Sequence, residues 1–239
     1  MKKKKNSLSN IIKKILLVIL IVLLICVGIT IKNGYTMYKN AVNNIPIDQK
    51  VENIKSKNYY TTFSQVPKDL KNAVVATEDH RYYNHGPIDI ISIGRAVITD
   101  IKNMSLVEGG STITQQLAKN MYFSQEKKLT RKVAEVFVAS KLEKLYSKDD
   151  ILELYLNISY YGNGYTGIGQ ASRGYFNKTP MELSTYEQTL LAGLPNAPSA
   201  YALNSHSNLA KQRQEIVVDA MCEYNYISQE DAENLKNQN

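Results

Sequence analysis

The feature that most constrains this chain is Ile15 to Ile31, a run of 17 residues without a charge (ILLVILIVLLICVGITI). As a helix, a run of that length just spans the hydrocarbon core of a bilayer. Ile11 and Ile12 extend it across Lys13 and Lys14, whose ammonium groups can snorkel to the interface. Residues 1–32 hold seven lysines (Lys2, Lys3, Lys4, Lys5, Lys13, Lys14 and Lys32) and no acid. Taking those seven from the 29 basic residues leaves 22, balanced by 22 Asp and Glu. The basic character therefore belongs to the tail, and a nucleic-acid surface is not implied. Lysines ahead of the apolar run should stay cytoplasmic, which places everything after Lys32 outside the membrane. A cleaved signal peptide is the rival, but the run is long for one and no A-x-A site follows it. Cys26 falls in the span and Cys222 stands alone, so the exported part has no internal disulfide framework. The expected organisation is a basic cytoplasmic tail (1–10), a transmembrane anchor (11–32), a polar juxtamembrane connector (33–58) and one domain (59–239).

That domain reads as all-α. Val66-Pro67 suits a helix entry, and Leu70, Ala73, Val74 and Thr77 follow at helical spacing. Gly109-Gly110 is a hinge-like break. Thr112 with Gln115 matches a capping box, so a helix should begin there and offer free N–H groups to an anion. Gln115 and Lys119 would then share a face. Leu129 to Tyr146 is the strongest helix, with Leu129, Val133, Val136, Phe137, Leu142 and Leu145 as its apolar stripe. Ser147 with Asp150, Ser184 with Glu187 and Ser228 with Asp231 mark three further helix starts. No run of alternating strands and no internal repeat appears.

Chemistry centres on Ala76 to Asp89 (ATEDHRYYNHGPID), where Glu78 and Asp79 end an apolar run and aromatics follow. Carboxylates in such a setting can serve as proton acceptors, although solvated acids at a helix end look the same. Gly162 to Gly167 is formally G-x-G-x-x-G, but without a βαβ unit around it the segment is a glycine-rich loop. His80, His85 and His206 have no metal-ligand spacing. No G-x-S-x-G elbow is present, and Ser111 has no local histidine to activate it. The informative set is Lys119, Arg131, Lys132 and Glu135. Arg131 and Glu135, at i and i+4, could be an ordinary surface pair. Together with Glu78 and the loop before Thr112, however, these are the parts needed to deprotonate an acceptor hydroxyl while stabilising a phosphate leaving group.

These residues resemble the motifs of glycosyltransferase family 51, the peptidoglycan glycosyltransferases, and most closely the monofunctional membrane-anchored type. The resemblance covers roughly residues 60–225. E-D-x-x-F-x-x-H-x-G-x-D corresponds to Glu78 through Asp89, and G-x-S-T-x-x-Q-Q-x-x-K-N to Gly109 through Asn120. R-K-x-x-E is Arg131 through Glu135, and K-x-x-I-L-x-x-Y-L-N is Lys148 through Asn157. A weaker R-x-x-x-V-L-x-x-M fits Arg213 to Met221, with Val218 in place of leucine. Several motifs in order are specific where any one is not.

The resemblance implies a lysozyme-like, mainly helical domain that polymerises lipid II at the outer membrane face. Glu78 would be the general base and Glu135 a second essential acid that arranges the donor-site cations. Lys119 and Arg131 would bind the diphosphate, with Lys132 nearby and Arg95 supporting the substrate site. Ser111, Thr112, Gln115 and Gln116 would line the cleft, and Asp79, Tyr82 and His85 would support it. No cofactor is required on this reading. A divalent cation, Mg2+ or Mn2+, can assist the diphosphate in the family, but no protein metal site is specified. The expected partners are lipid II, the growing lipid-linked glycan, the bilayer and other cell-wall synthases, with no nucleic acid. Cross-linking is not expected, because no transpeptidase segment follows. Tyr82 departs mildly from the family's phenylalanine. Pro87 replaces a glycine, and proline fixes φ near about −65° and lacks an N–H, so the loop after His85 should differ. Two competing readings are a lytic glycan-cleaving enzyme, whose paired acids would have no demand for these cations, and a non-catalytic wall-synthesis scaffold.

Overall fold

The computed structural model describes residues 2–103, 110–124 and 128–238; Gly109 of the expected glycine hinge lies outside them. The described residues are helical, with a single isolated antiparallel bridge, Tyr160 to Thr166, in place of any strand. The first helix, α1 (Lys2–Asn44), is unbroken, and its Ile12–Asn44 portion is long and apolar enough to cross a membrane.

The segment expected to be a polar connector is instead folded. α1 runs through its first half, and α2 (Ile47–Lys55) sends Ile47, Val51 and Ile54 into the core. Three apolar residues at i, i+4 and i+7 are enough to hold a short helix once a core exists to receive them. In sequence they are too sparse to stand out among polar neighbours.

α3 (Lys68–Glu78) starts after Pro67 and buries Leu70, Ala73, Val74, Val75 and Ala76. α4 (Ile90–Asn103) begins where Asp89 accepts the N–H groups of Ile91 and Ser92. α5 (Ile113–Tyr122), α6 (Leu129–Leu145), α7 (Lys148–Ile158) and α8 (Ile168–Phe176) follow. α9 (Thr185–Gly193), α10 (Ser207–Glu223) and α11 (Gln229–Lys236) complete the chain. α5 packs between α6 and α7, while α3, α9 and α10 pack on one another. This brings the C-terminal end of α3 against the N-terminal end of α5.

The caps at Ser147, Ser184 and Ser228 are reciprocal boxes with Asp150, Glu187 and Asp231. At Thr112 only half of the expected box forms: its Oγ1 accepts the Gln115 N–H at 3.1 Å, but the buried Gln115 Oε1 has no partner. The glycine-rich loop joins α7 to α8, and Gly162, Gly164 and Gly167 all have positive φ there.

α6 corrects the expected apolar stripe. Leu129 and Leu145 are exposed, whereas Ala134, Val138, Ala139 and Leu142 face the core beside Glu135. Val133 and Phe137 belong to a second face that packs on α1, where Phe137 meets the rings of Tyr35 and Tyr38 at 5.2 and 5.7 Å. With two apolar partners on different sides, this helix has no single stripe to read.

Candidate active site

Glu78 is the last residue of α3, and the helix ends because Asp79 leaves helical geometry at φ −162°, ψ 69°. The two neighbouring acids consequently part. The buried Asp79 carboxylate accepts the Ile113 N–H at 3.0 Å through one oxygen and the His85 Nε2–H at 2.7 Å through the other. It therefore ties the end of α3 to the start of α5. The other His85 nitrogen, Nδ1, donates to the Gly86 carbonyl at 2.6 Å. Both ring nitrogens face oxygens that only accept, so the ring carries both protons. Burial opposes that charge, but the Asp79 hydrogen bond and the Gly86 carbonyl outweigh it and raise the His85 pKa.

Glu78 turns into a cleft of about 560 Å³, lined among others by Arg95, Ser111, Gln116, Lys119 and Arg213. Its Oε2 accepts from Gln116 Nε2 at 2.9 Å, and its Oε1 lies 3.5 Å from Arg213 Nη2. The orientation of Gln116 is fixed from behind, because Tyr155 Oη–H donates to its Oε1 at 3.2 Å. Tyr155 is fully buried, which with the nearby Glu78 charge pushes its pKa well up and keeps it a donor.

Gln116 and Lys119, three apart on α5, both reach the cleft. Among the described residues the Lys119 ammonium makes no hydrogen bond or ion pair. Its pKa is lowered, first by burial and then by Arg131 and Lys132, which oppose the pull of Glu135 and Glu78. Glu135 is 1% exposed and lies behind the cleft. It pairs with Arg131 Nε at 2.8 Å and Lys132 Nζ at 3.1 Å. The Arg131 contact is off the N–H axis, so it is an ion contact rather than a directed hydrogen bond. Arg131 Nη1 donates to the Ser124 carbonyl at 3.0 Å, and Lys132 Nζ to Ser111 Oγ at 2.5 Å. One buried carboxylate thus gathers two cations and, through Lys132, positions a hydroxyl on the cleft wall.

Thr112 lines the cleft, and its Oγ1–H donates to the Pro87 carbonyl at 3.0 Å. The chain through Gly86 and Pro87 keeps negative φ, so proline is accommodated without a special turn. Tyr82 is buried, with its hydroxyl donating to the Lys148 carbonyl at 2.7 Å, which gives the extra oxygen a partner. Arg95 donates from Nη2 to His80 Nε2 at 3.2 Å, and His80 stacks on Tyr224 with ring centroids 4.2 Å apart. Burial and the Arg95 charge lower the His80 pKa, so the ring accepts that hydrogen bond.

Gln115 is where the structure departs from the expected cleft. It is buried and does not line the cavity. One residue along a helix rotates the side chain by about 100°, so Gln116 and Gln115 cannot face the same way. Arg213, His80 and Tyr224 are among the cleft residues that sequence reasoning did not assign. Arg213 opens the last and weakest motif, and that was the available signal. Asp79, His85 and Asp89 place ligand-type atoms within 4.8 Å of one another. The Arg81 guanidinium already holds Asp89 at 3.0 Å and the His85 ring holds Asp79. A metal ion there would have to displace the Arg81 guanidinium and strip a proton from the His85 ring, so this donor set does not fit one.

A transglycosylase family model matches residues 46–222. Penicillin-binding protein 1F of Bacillus subtilis is 45% identical over 171 residues, covering 72% of this chain and 24% of that protein. Penicillin-binding protein 1A of Aquifex aeolicus is 42% identical over 181 residues, covering 76% of this chain and 25% of that protein. The chain thus spans about a quarter of the length of these curated relatives. The crystal structure of penicillin-binding protein 1A from Haemophilus influenzae aligns at 22% identity with a TM-score of 0.46, covering 75% of this chain and 17% of that one. Since the family match takes in every residue from Glu78 to Arg213, and most of the chain besides, the chain belongs to the transglycosylase family.

Proposed function

We propose that this chain is a membrane-anchored peptidoglycan glycosyltransferase that polymerises lipid II and releases undecaprenyl diphosphate. The observation that carries the reading is the presence, in one cleft, of the Glu78 carboxylate and of the Lys119 ammonium, which has no hydrogen-bond or ion-pair partner among the described residues. A carboxylate can take the proton from an attacking sugar hydroxyl, and a desolvated ammonium can receive the charge that develops on a leaving diphosphate.

In the step envisaged, the acceptor 4-hydroxyl oxygen attacks C1 of the lipid-linked sugar of the growing chain and its proton passes to Glu78. The C1–O bond to the diphosphate breaks with its electron pair on the leaving oxygen. Attack and departure on opposite faces convert the α linkage to β-1,4. Lys119 would supply a point charge to the diphosphate, while Arg131 and Lys132, held by Glu135, would supply a guanidinium fork and a second ammonium at the donor end. A divalent cation, Mg2+ or Mn2+, would assist by neutralising the same phosphates. The long apolar helix would hold the cleft beside a substrate confined to the bilayer, with the lysine-rich tail cytoplasmic and the domain outside.

Polymer formation from purified lipid II by the full chain tests this directly. Glu78→Gln should lower turnover by about 10²–10⁴ while leaving lipid II binding largely intact. Lys119→Ala and Arg131→Ala should weaken binding as well. Release of muropeptides from sacculi without any polymer would favour a lytic enzyme instead. Unchanged function in Glu78→Gln would favour a scaffold.

A further inference from the structure

We propose that Arg213 is a positioning residue for the Glu78 carboxylate, and that Gly193 is the opening through which its side chain reaches that position. The inference rests on Glu78 being the base, and goes beyond it by naming what aims the base.

Arg213 sits on α10, 135 residues beyond Glu78, and its guanidinium is 12% exposed where it meets a carboxylate 9% exposed. Its Nε donates to the Gly193 carbonyl at 3.4 Å while Nη2 points to Glu78 Oε1 at 3.5 Å. One planar group therefore spans from the end of α9 to the end of α3. Gly193 permits this crossing. A Cβ there would stand 2.9 Å from Arg213 Cγ and 3.3 Å from Val217 Cγ2, tighter than side-chain contacts normally allow. The backbone at Gly193 is helical and places no demand on glycine, so the room for the arginine stem is what a side chain would remove.

On the opposite side, Glu78 Oε2 is held by Gln116, which Tyr155 orients. Each carboxylate oxygen thus has one fixed donor, with further lone pairs left to accept a substrate proton. The two contacts differ in kind. Gln116 makes a short directed hydrogen bond, whereas Arg213 at 3.5 Å supplies charge and direction without a tight bond. A base held from both sides keeps its geometry as substrate arrives, which is the form of preorganisation that raises turnover rather than affinity.

The experiment uses the full-length chain in detergent micelles. Wild-type polymerisation of lipid II is the control that tests the underlying function. Given that activity, Arg213→Ala should lower kcat by about tenfold or more with KM for lipid II changed by no more than about twofold, the pattern of a lost transition-state interaction. Arg213→Lys should recover part of kcat, and guanidinium added to Arg213→Ala should recover more than ammonium does. A rise in KM alone would make Arg213 a substrate ligand, and failure of both rescues would make it merely structural; either result overturns the proposal. A second readout needs no substrate. Arg213→Ala leaves Glu78 without its cation, so adding Glu78→Gln to it should raise the melting temperature. Additive losses would refute the coupling, even if lipid II is not the substrate.

Discussion

Gly34→Ala should loosen the seam between the anchor helix and α6. A Cβ built on Gly34 falls 2.5 Å from Val133 Cγ1, 2.6 Å from Val133 Cβ and 2.9 Å from the Thr130 carbonyl. Val133 is branched at Cβ and stiff in a helix, and the Thr130 oxygen is backbone, so neither can swing away. Ordinary contact begins at 3.4 Å, so the helices must part by about 1 Å, an overpacking strain that costs about 1–3 kcal/mol. For a chain of this size each kcal/mol corresponds to about 2–4 °C in melting temperature, giving an expected fall of about 2–12 °C.

The consequence should reach the cleft, because α6 carries Arg131, Lys132 and Glu135 on neighbouring turns. Thermal unfolding of the full chain in one detergent, paired with lipid II binding, reads both effects. Gly28→Ala is the matched control, since nothing lies within 4 Å of a Cβ at that position on the same helix. If the two variants melt together and bind alike, α1 does not dock on α6 through Gly34, and the coupling from anchor to cations is wrong.

His85 gives a pH dependence with a definite sign. Its folded pKa is raised, so its contribution to stability is fully present below its unfolded value, near about 6.5, and is lost as pH rises through the folded value. The melting-temperature gap between wild type and His85→Gln should therefore shrink as pH is raised from about 6 to about 9; a gap that widens refutes the charged Asp79–His85 pair. Glu135→Gln removes the carboxylate shared by Arg131 and Lys132, and because both cations keep some access to water the loss should be about 1–3 kcal/mol, together with weaker lipid II binding. Unchanged stability and affinity would show that the cations are held by something else. Asn157→Leu should cost about 2–4 kcal/mol and speed hydrogen exchange at Thr61, because it strands the buried Thr61 N–H that Asn157 Oδ1 accepts at 2.8 Å. Slow exchange in that variant would contradict the assignment.

Local chemistry was the legible part. The helix starts at Ser147, Ser184 and Ser228 depend on a side chain and an N–H three residues away, so short-range sequence contains the whole interaction. The apolar run from Ile15 to Ile31 is likewise complete in itself. α2 and α6 were harder, because a residue's apolar character does not say which partner it faces. Ile47, Val51 and Ile54 needed a core to bury against, and Val133 and Phe137 turn toward α1 rather than inward.

At the site, the sequence by itself determined the inventory: two adjacent acids, a lysine after the glycine pair, and an arginine, lysine and glutamate on one helix. Tertiary structure alone decided their roles. Glu78 and Asp79 are chemically near-equivalent neighbours, yet a break in the helix between them sends one into the cleft and the other to the N-terminus of α5. Gln115 and Gln116 separate for the simpler reason that a helix turns by about 100° per residue. Arg213 reaches Glu78 across 135 residues of chain, through packing of α3, α9 and α10 that no local pattern encodes. Residue types set which proton transfers and charge contacts are available; the long-range packing sets which atoms are close enough to make them.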